Sequence, residues 1–130
     1  MYEKEEKYMK KVAFATGSRA DYGIMREYLR LLNNDENIGL SILVTGALLD
    51  EKYGNQVSLI EDDGFYIESK VKVDLNSTSN KNILLSMGEI IKLFAEVFDK
   101  NKYDLLIILG DRYEMLSVAI SAAINRIPIL

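Results

Sequence analysis

Two short stretches carry the residue types that can do chemistry in this chain. Gly110-Asp111-Arg112-Tyr113-Glu114 follows the most apolar run of the sequence, Leu105-Leu106-Ile107-Ile108-Leu109. A buried strand ending in Gly-Asp-Arg brings a tight turn, a carboxylate and a fixed positive charge to one rim. Near the start, Val12-Ala13-Phe14-Ala15-Thr16 runs into Gly17-Ser18-Arg19-Ala20-Asp21-Tyr22-Gly23. Each stretch holds a Gly, an Arg and an Asp. Histidine and cysteine are both absent. Acid–base work within the chain therefore falls to Asp, Glu, Lys or Tyr, and thiol and disulfide chemistry are excluded.

Each residue has a structural and a chemical reading. Gly17-Ser18-Arg19 precedes a helical pattern, and the free amides and dipole of a helix N-terminus attract anions. Arg19 adds a fork suited to phosphate. The spacing Gly17 to Gly23 is neither the dinucleotide fingerprint nor a Walker loop. Equally, Gly17 makes the turn, Ser18 caps the helix and Arg19 is solvated. Asp111 serves either as an N-cap for a helix over 112–124 or as a cleft carboxylate, acting as a base or holding a sugar hydroxyl. Glu114, three residues later, fits the second half of a capping box. Arg112 has Asp111, Asp21 or solvent to pair with. Gly54 interrupts a helical pattern at Tyr53-Gly54-Asn55, which marks a helix start or a close approach to a ligand.

The elements that position these stretches alternate. Residues 12–16 read as a first strand. Ile24, Tyr28, Leu29, Leu31 and Leu32 place one helical face between 21 and 33. A second buried strand spans 40–45 and closes at Gly46. A helix over 50–62, with Tyr53, Val57, Leu59 and Ile60 inward, stops at Asp63-Gly64. From 65 to 75 the pattern alternates, with Phe65, Ile67, Val71, Val73 and Leu75 on one face and charges on the other. That pattern predicts an edge strand. Ile83, Leu84, Met87, Ile90, Ile91, Phe94, Ala95 and Phe98 define a long helix. A fourth strand covers 104–109. Met115 to Ile124 is apolar nearly all round, which predicts a helix buried on both sides. Residues 126–130 begin a fifth strand.

Such alternation means α/β architecture, a doubly wound parallel sheet of Rossmann-like type. The expected strand order is 3-2-1-4-5. Ligands in these sheets bind beyond the carboxyl ends of the strands, where the order reverses. Strands one and four flank that switch point, so the loops 17–23 and 110–114 should lie side by side. The 130 residues make one domain: a charged N-terminal extension over 1–10, then a Rossmann-like domain over 11–130 that is incomplete at its C-terminus.

Composition narrows the partners. Twenty acidic residues against 16 basic ones give a net charge of −4, with no basic footprint for nucleic acid or anionic membrane. No apolar run approaches a membrane span, and the charged N-terminus lacks a signal peptide's apolar centre. We expect a cytoplasmic chain that binds neither nucleic acid nor membrane.

Taken together, Arg19-Ala20-Asp21-Tyr22-Gly23, Tyr53-Gly54, Ile60-Glu61-Asp62-Asp63-Gly64-Phe65 and Gly110-Asp111-Arg112-Tyr113-Glu114 resemble the hydrolysing UDP-N-acetylglucosamine 2-epimerases of sialic- and nonulosonic-acid biosynthesis. The resemblance runs from about Lys11 to Leu130. The non-hydrolysing sister enzymes typically carry Arg-Pro-Glu and Gly-Asp-Thr instead. The resemblance implies the N-terminal half of a glycosyltransferase-B type fold with its active site between two domains. It implies loss of the C2 proton, expulsion of UDP to give a glycal, and hydration to free N-acetylmannosamine or its 4-acetamido-6-deoxy counterpart.

By position, Asp111, Glu114 and Asp21 become the candidate catalytic carboxylates, with Asp21 lining the sugar site and Glu114 supporting it. Gly17, Arg19, Gly110 and Arg112 become substrate or UDP contacts. No metal and no cofactor are implied.

Two departures stand out. Leu48 replaces a histidine frequent in the family. The second motif, rich in His, Gly and Glu, and the UDP-holding C-terminal domain lie beyond Leu130. We therefore expect this stretch alone to be inactive and at best to bind UDP weakly, with the full-length protein a homo-oligomer. The rival readings are a non-hydrolysing epimerase, a glycosyltransferase of the same fold and a non-enzymatic receiver-like module. The last lacks the acidic cluster after strand one that its chemistry needs.

Overall fold

The computed structural model describes residues 9–130, so residues 1–8 of the charged extension lie outside it. Four parallel strands form one sheet in the order β3-β2-β1-β4. These are β1 (Lys10–Thr16), β2 (Ile38–Thr45), β3 (Ile67–Val71) and β4 (Leu105–Ile107). The helices are α1 (Arg19–Asn33), α2 (Ser58–Asp62), α3 (Asn80–Lys100) and α4 (Tyr113–Ile124). In register, Phe14 of β1 faces Ile42 of β2 on one side and Ile107 of β4 on the other. Beyond β4, Ile129 forms a single parallel bridge to Leu106. The fifth position is thus marked by a bridge, not a strand.

Alternate β1 residues feed two cores, as the period of two requires. Val12 and Phe14 pack with Tyr22, Leu29, Ile42 and Ile60 under α1 and α2. Ala13 and Ala15 pack with Ile90, Phe94, Phe98, Met115 and Val118 under α3 and α4. A sheet covered on both faces is the doubly wound arrangement that the alternation predicts. Among the described residues, no helix is long and apolar enough to cross a membrane.

The local elements depart from expectation in four places. The 65–75 strand does not keep one face. The β2–β3 register shifts between Ile42 and Leu43, whose partners are Ile67 and Ser69. This extra residue inverts the side-chain alternation. Phe65 and Ile67 therefore join the α1/α2 core, whereas Val71, Val73 and Leu75 join the α3/α4 core. The 50–62 helix is broken into a 3₁₀ turn at Glu51–Tyr53 and the short α2, after a separate 3₁₀ turn at Gly46–Leu49. Gly54 sits at φ +80° between them, a left-handed conformation that ends a helix. Val57 and Ile60 are buried, but Tyr53 and Leu59 are exposed.

The helix faces also differ. In α1 the inward residues are Tyr22 and Leu29, while Ile24, Tyr28 and Leu31 are exposed. In α3, Leu84 and Ala95 face outward. The fourth departure is α4, which is not covered on both sides: Leu116, Ile120 and Ile124 form an exposed stripe. Periodicity locates an apolar stripe, but an apolar residue on the surface is common enough to blur which stripe is core.

One polar cluster locks α1 onto the α2–β3 turn. Asp63, only 7% exposed, accepts from the Tyr22 hydroxyl and from Arg26, whose Nε lies 2.7 Å away. Arg30 stands 3.5 Å from the same carboxylate. The hydrogen bond from Arg26 holds the Asp63 carboxyl below its usual range. Burial pushes the Tyr22 phenol upward, and its bond to Asp63 adds to the rise. The Tyr22 ring also meets Phe65 edge-on at 6.4 Å.

Candidate active site

The first rim follows β1. Ser18 is extended and caps α1: its hydroxyl accepts from the Asp21 amide at 3.2 Å. The Thr16 hydroxyl donates to the Ser18 carbonyl. Gly17 is buried, and a Cβ there would lie 3.6 Å from the Met115 methyl of α4. Gly46, at φ +63°, stacks on Gly17 so closely that a Cβ would meet the Gly17 carbonyl oxygen at 3.0 Å. Gly17 and Gly46 thus let the ends of β1 and β2 approach. Arg19 is the first helical residue and is exposed.

The second rim follows β4. Gly110 takes φ +98°, and a Cβ on it would stand 3.3 Å from both carboxylate oxygens of Asp21. The two loops therefore meet, with the Asp21 carboxylate over the Gly110 Cα. Asp21 Oδ2 is buried and accepts no hydrogen bond among the described residues. Such an oxygen is costly unless something donates to it, and a ligand hydroxyl or amide is suited to do so.

Asp111 is exposed at the mouth of a cleft of about 330 Å³, lined with Ile108, Gly110, Arg112, Met115 and Leu116. It is not the N-cap of α4. That position belongs to Arg112, which makes no side-chain cap. Asp111 is thus left free for the cleft. Glu114 does not complete a capping box either. It lies in the first turn of α4 at 1% exposure, and neither carboxylate oxygen accepts a hydrogen bond among the described residues. Its partner is Arg112, whose Nε is 3.3 Å from Glu114 Oε1. Arg112 was expected to pair with Asp111, Asp21 or solvent; its ion pair is instead with Glu114, two residues on in the first turn of α4. Burial raises the Tyr113 phenol, and the Glu114 charge adds to the shift.

The fold therefore gathers Gly17, Asp21, Gly110, Asp111, Arg112 and Glu114 at the carboxyl ends of β1 and β4, with Arg19 on the adjoining helix end. Sequence reasoning missed Gly46 and Met115, which join the loops. A glycine directly after a buried strand was the available signal for Gly46, and nothing local marked Met115. A second cleft, of about 410 Å³, is lined by Leu48, Leu49, Glu51, Gly54, Asn55 and Val57. Gly54 thus faces open space, and Leu48 is itself buried.

By class, this is a doubly wound α/β domain with carboxylates and arginines gathered at the switch point of its sheet. Residues 30–130 match the family model for UDP-N-acetylglucosamine 2-epimerase, and the chain belongs to that family. It is 44% identical over 122 residues to the polysialic acid biosynthesis protein P7 of Escherichia coli, covering 94% of this chain and 31% of that protein. It is 43% identical to the hydrolysing UDP-N,N'-diacetylbacillosamine 2-epimerase of Legionella pneumophila, covering 94% and 32%. Among solved structures, a UDP-N-acetylglucosamine 2-epimerase aligns at TM-score 0.79 with 14% identity, covering 93% of this chain and 32% of that one. The Neisseria meningitidis enzyme bound to UDP-GlcNAc aligns at 0.74 with 17% identity, covering 92% and 31%. These structures establish the fold, that of the N-terminal domain of a glycosyltransferase-B type epimerase. The chain spans about a third of the length of the relatives it matches.

Proposed function

We propose that this chain forms the sugar-side wall of a hydrolysing UDP-N-acetylhexosamine 2-epimerase. It would take UDP-N-acetylglucosamine or a 4-acetamido-6-deoxy relative to the free 2-epimeric sugar and UDP. The observation that carries the proposal is the meeting of the two rims, with Asp21 over Gly110 and Asp111 open to the cleft. The hydrolysing relative from Legionella supports the choice of reaction.

The chemistry follows from the parts. Asp111, exposed at the cleft mouth, takes the C2 proton as general base. The C2–H electron pair becomes the C1–C2 double bond, and the C1–O bond breaks with its pair leaving on UDP. Arg19 and Arg112 stabilise the charge that gathers on the departing diphosphate. Water then adds its oxygen to C1 of the glycal, and a proton returns to C2 on the opposite face. The unpaired Asp21 oxygen holds a sugar hydroxyl or the acetamido N–H through these steps.

The chain spans about a third of its relatives' length, and on this reading the remainder supplies most of the grip on UDP. The 130-residue stretch alone is therefore expected to release no UDP above a buffer blank, and turnover by it would contradict this reading. The decisive assay uses this chain continued through the length its relatives span. NMR of the products should show free N-acetylmannosamine-type sugar plus UDP. An epimer still attached to UDP would indicate the non-hydrolysing reaction, and a glycosylated acceptor would indicate a transferase.

A further inference from the structure

Glu114 is the group whose role the mechanism leaves open. It is sealed at 1% exposure, so no sugar proton comes within hydrogen-bond reach of it. A buried carboxylate without hydrogen bonds is expensive, and an ion pair offsets that cost only when the partner is well placed. The partner here is Arg112, whose Nε stands 3.3 Å from Glu114 Oε1. The Arg112 side chain is half exposed and lines the cleft beside Asp111. Glu114 also lies in the first turn of α4, where the helix dipole favours its negative charge.

We infer that Glu114 is a positioning residue: its ion pair holds the Arg112 guanidinium at the cleft, where the arginine meets an oxyanion. On the proposed function that oxyanion is the diphosphate of the UDP-sugar. The anchor matters because a free arginine loses much rotamer freedom on binding, whereas a tethered one has already lost it. Glu114 therefore acts through Arg112 and not on the sugar.

A double-mutant cycle on UDP binding tests this, with UDP titrated by NMR into the polypeptide continued through the length its relatives span and into its R112K, E114Q and R112K/E114Q variants. R112K is expected to weaken UDP about tenfold, the scale of one charge-assisted hydrogen bond. E114Q should cost nearly as much, and the double variant no more than about twofold beyond either single one. The Arg112 Nε–H peak of the wild-type ¹⁵N spectrum, absent in R112K, should also move in E114Q as the ion pair is lost. This readout does not depend on UDP or on turnover.

The inference is overturned by E114Q binding UDP like wild type, by penalties that multiply in the double variant, by an Arg112 Nε–H peak that E114Q leaves in place, or by no UDP binding in the wild type. Failure of the product assay with the coupling intact would strike the proposed reaction and leave this anchor standing. Free sugar formed alongside an additive cycle would do the reverse.

Discussion

The two rims are built from the same residue types and finished in opposite ways. The loop after β1 is braced at its base: Ser18 caps α1, Thr16 braces the Ser18 carbonyl, and Gly17 is packed between Gly46 and Met115, with Asp21 Oδ2 left without a hydrogen bond among the described residues. The loop after β4 is left open. Its helix has no side-chain cap, Asp111 is exposed, and Glu114 is buried with one ionic partner. The first rim is scaffold that lends the site an arginine and an aspartate. The second holds most of the groups with unmet capacity, Asp111 and Glu114, which is where chemistry is expected.

If that division is right, substitutions in the two rims should separate activity from stability. The largest effect is expected for Asp111→Asn in a polypeptide that continues this chain through the length of its relatives. UDP release should fall about 10²–10⁴-fold, the usual worth of a general base. Stability should stay within about 0.5 kcal/mol by denaturant titration, since an exposed residue that caps nothing has little to lose. A loss near 1 kcal/mol would restore the capping role.

Next in size is the lock behind the first rim. Asp63→Asn should destabilise by about 1.5–3 kcal/mol, because hydrogen bonds to a charged, buried acceptor are lost. The folded carboxyl titrates below its unfolded value of about 3.9. Its contribution is thus complete above that pH and disappears as pH falls through the folded value. Melting curves between about pH 5 and pH 2 should decline more steeply for wild type than for Asp63→Asn, and parallel curves would break the assignment.

Gly110→Ala tests the contact between the rims. A left-handed φ costs a Cβ-bearing residue about 1–2 kcal/mol, and the new methyl must displace the Asp21 carboxylate. Gly23→Ala is the control in α1: no atom stands within 4 Å of its Cβ, so it should gain about 0.5–1 kcal/mol. If Gly110→Ala proved neutral, the loops would not meet as described. Smallest is Ser18→Ala, expected to cost about 1 kcal/mol as a lost N-cap, against no cap loss on Asp111→Ala.

Much of this layout was legible in the residues. The apolar runs ending at Gly17 and Gly110 located the strand ends, and the crossover rules brought them together before any contact was known. The meeting of Asp21 with Gly110 follows from that strand order. The roles within the second rim were not legible. Asp111-x-x-Glu114 has the spacing of a capping box, yet capping depends on which residue turns extended, and that residue is Arg112. The inversion of the third strand was hidden as well, since one extra residue at the Ile67–Ser69 shift leaves the letters alternating while the faces exchange. The part Tyr22 plays in the lock was not legible either, because its partner, Asp63, lies 41 residues away.

The central claim is that the two rims form one site that removes and returns a proton at C2. It is tested most directly by turnover in D₂O, with the polypeptide continued through the length of its relatives and the released sugar read by NMR. The account predicts one solvent deuterium at C2 of the free 2-epimeric sugar in the wild type, and neither sugar nor deuterium above background for Asp111→Asn. A free sugar that keeps its original C2 hydrogen, or undiminished deuterium incorporation by Asp111→Asn, would contradict it.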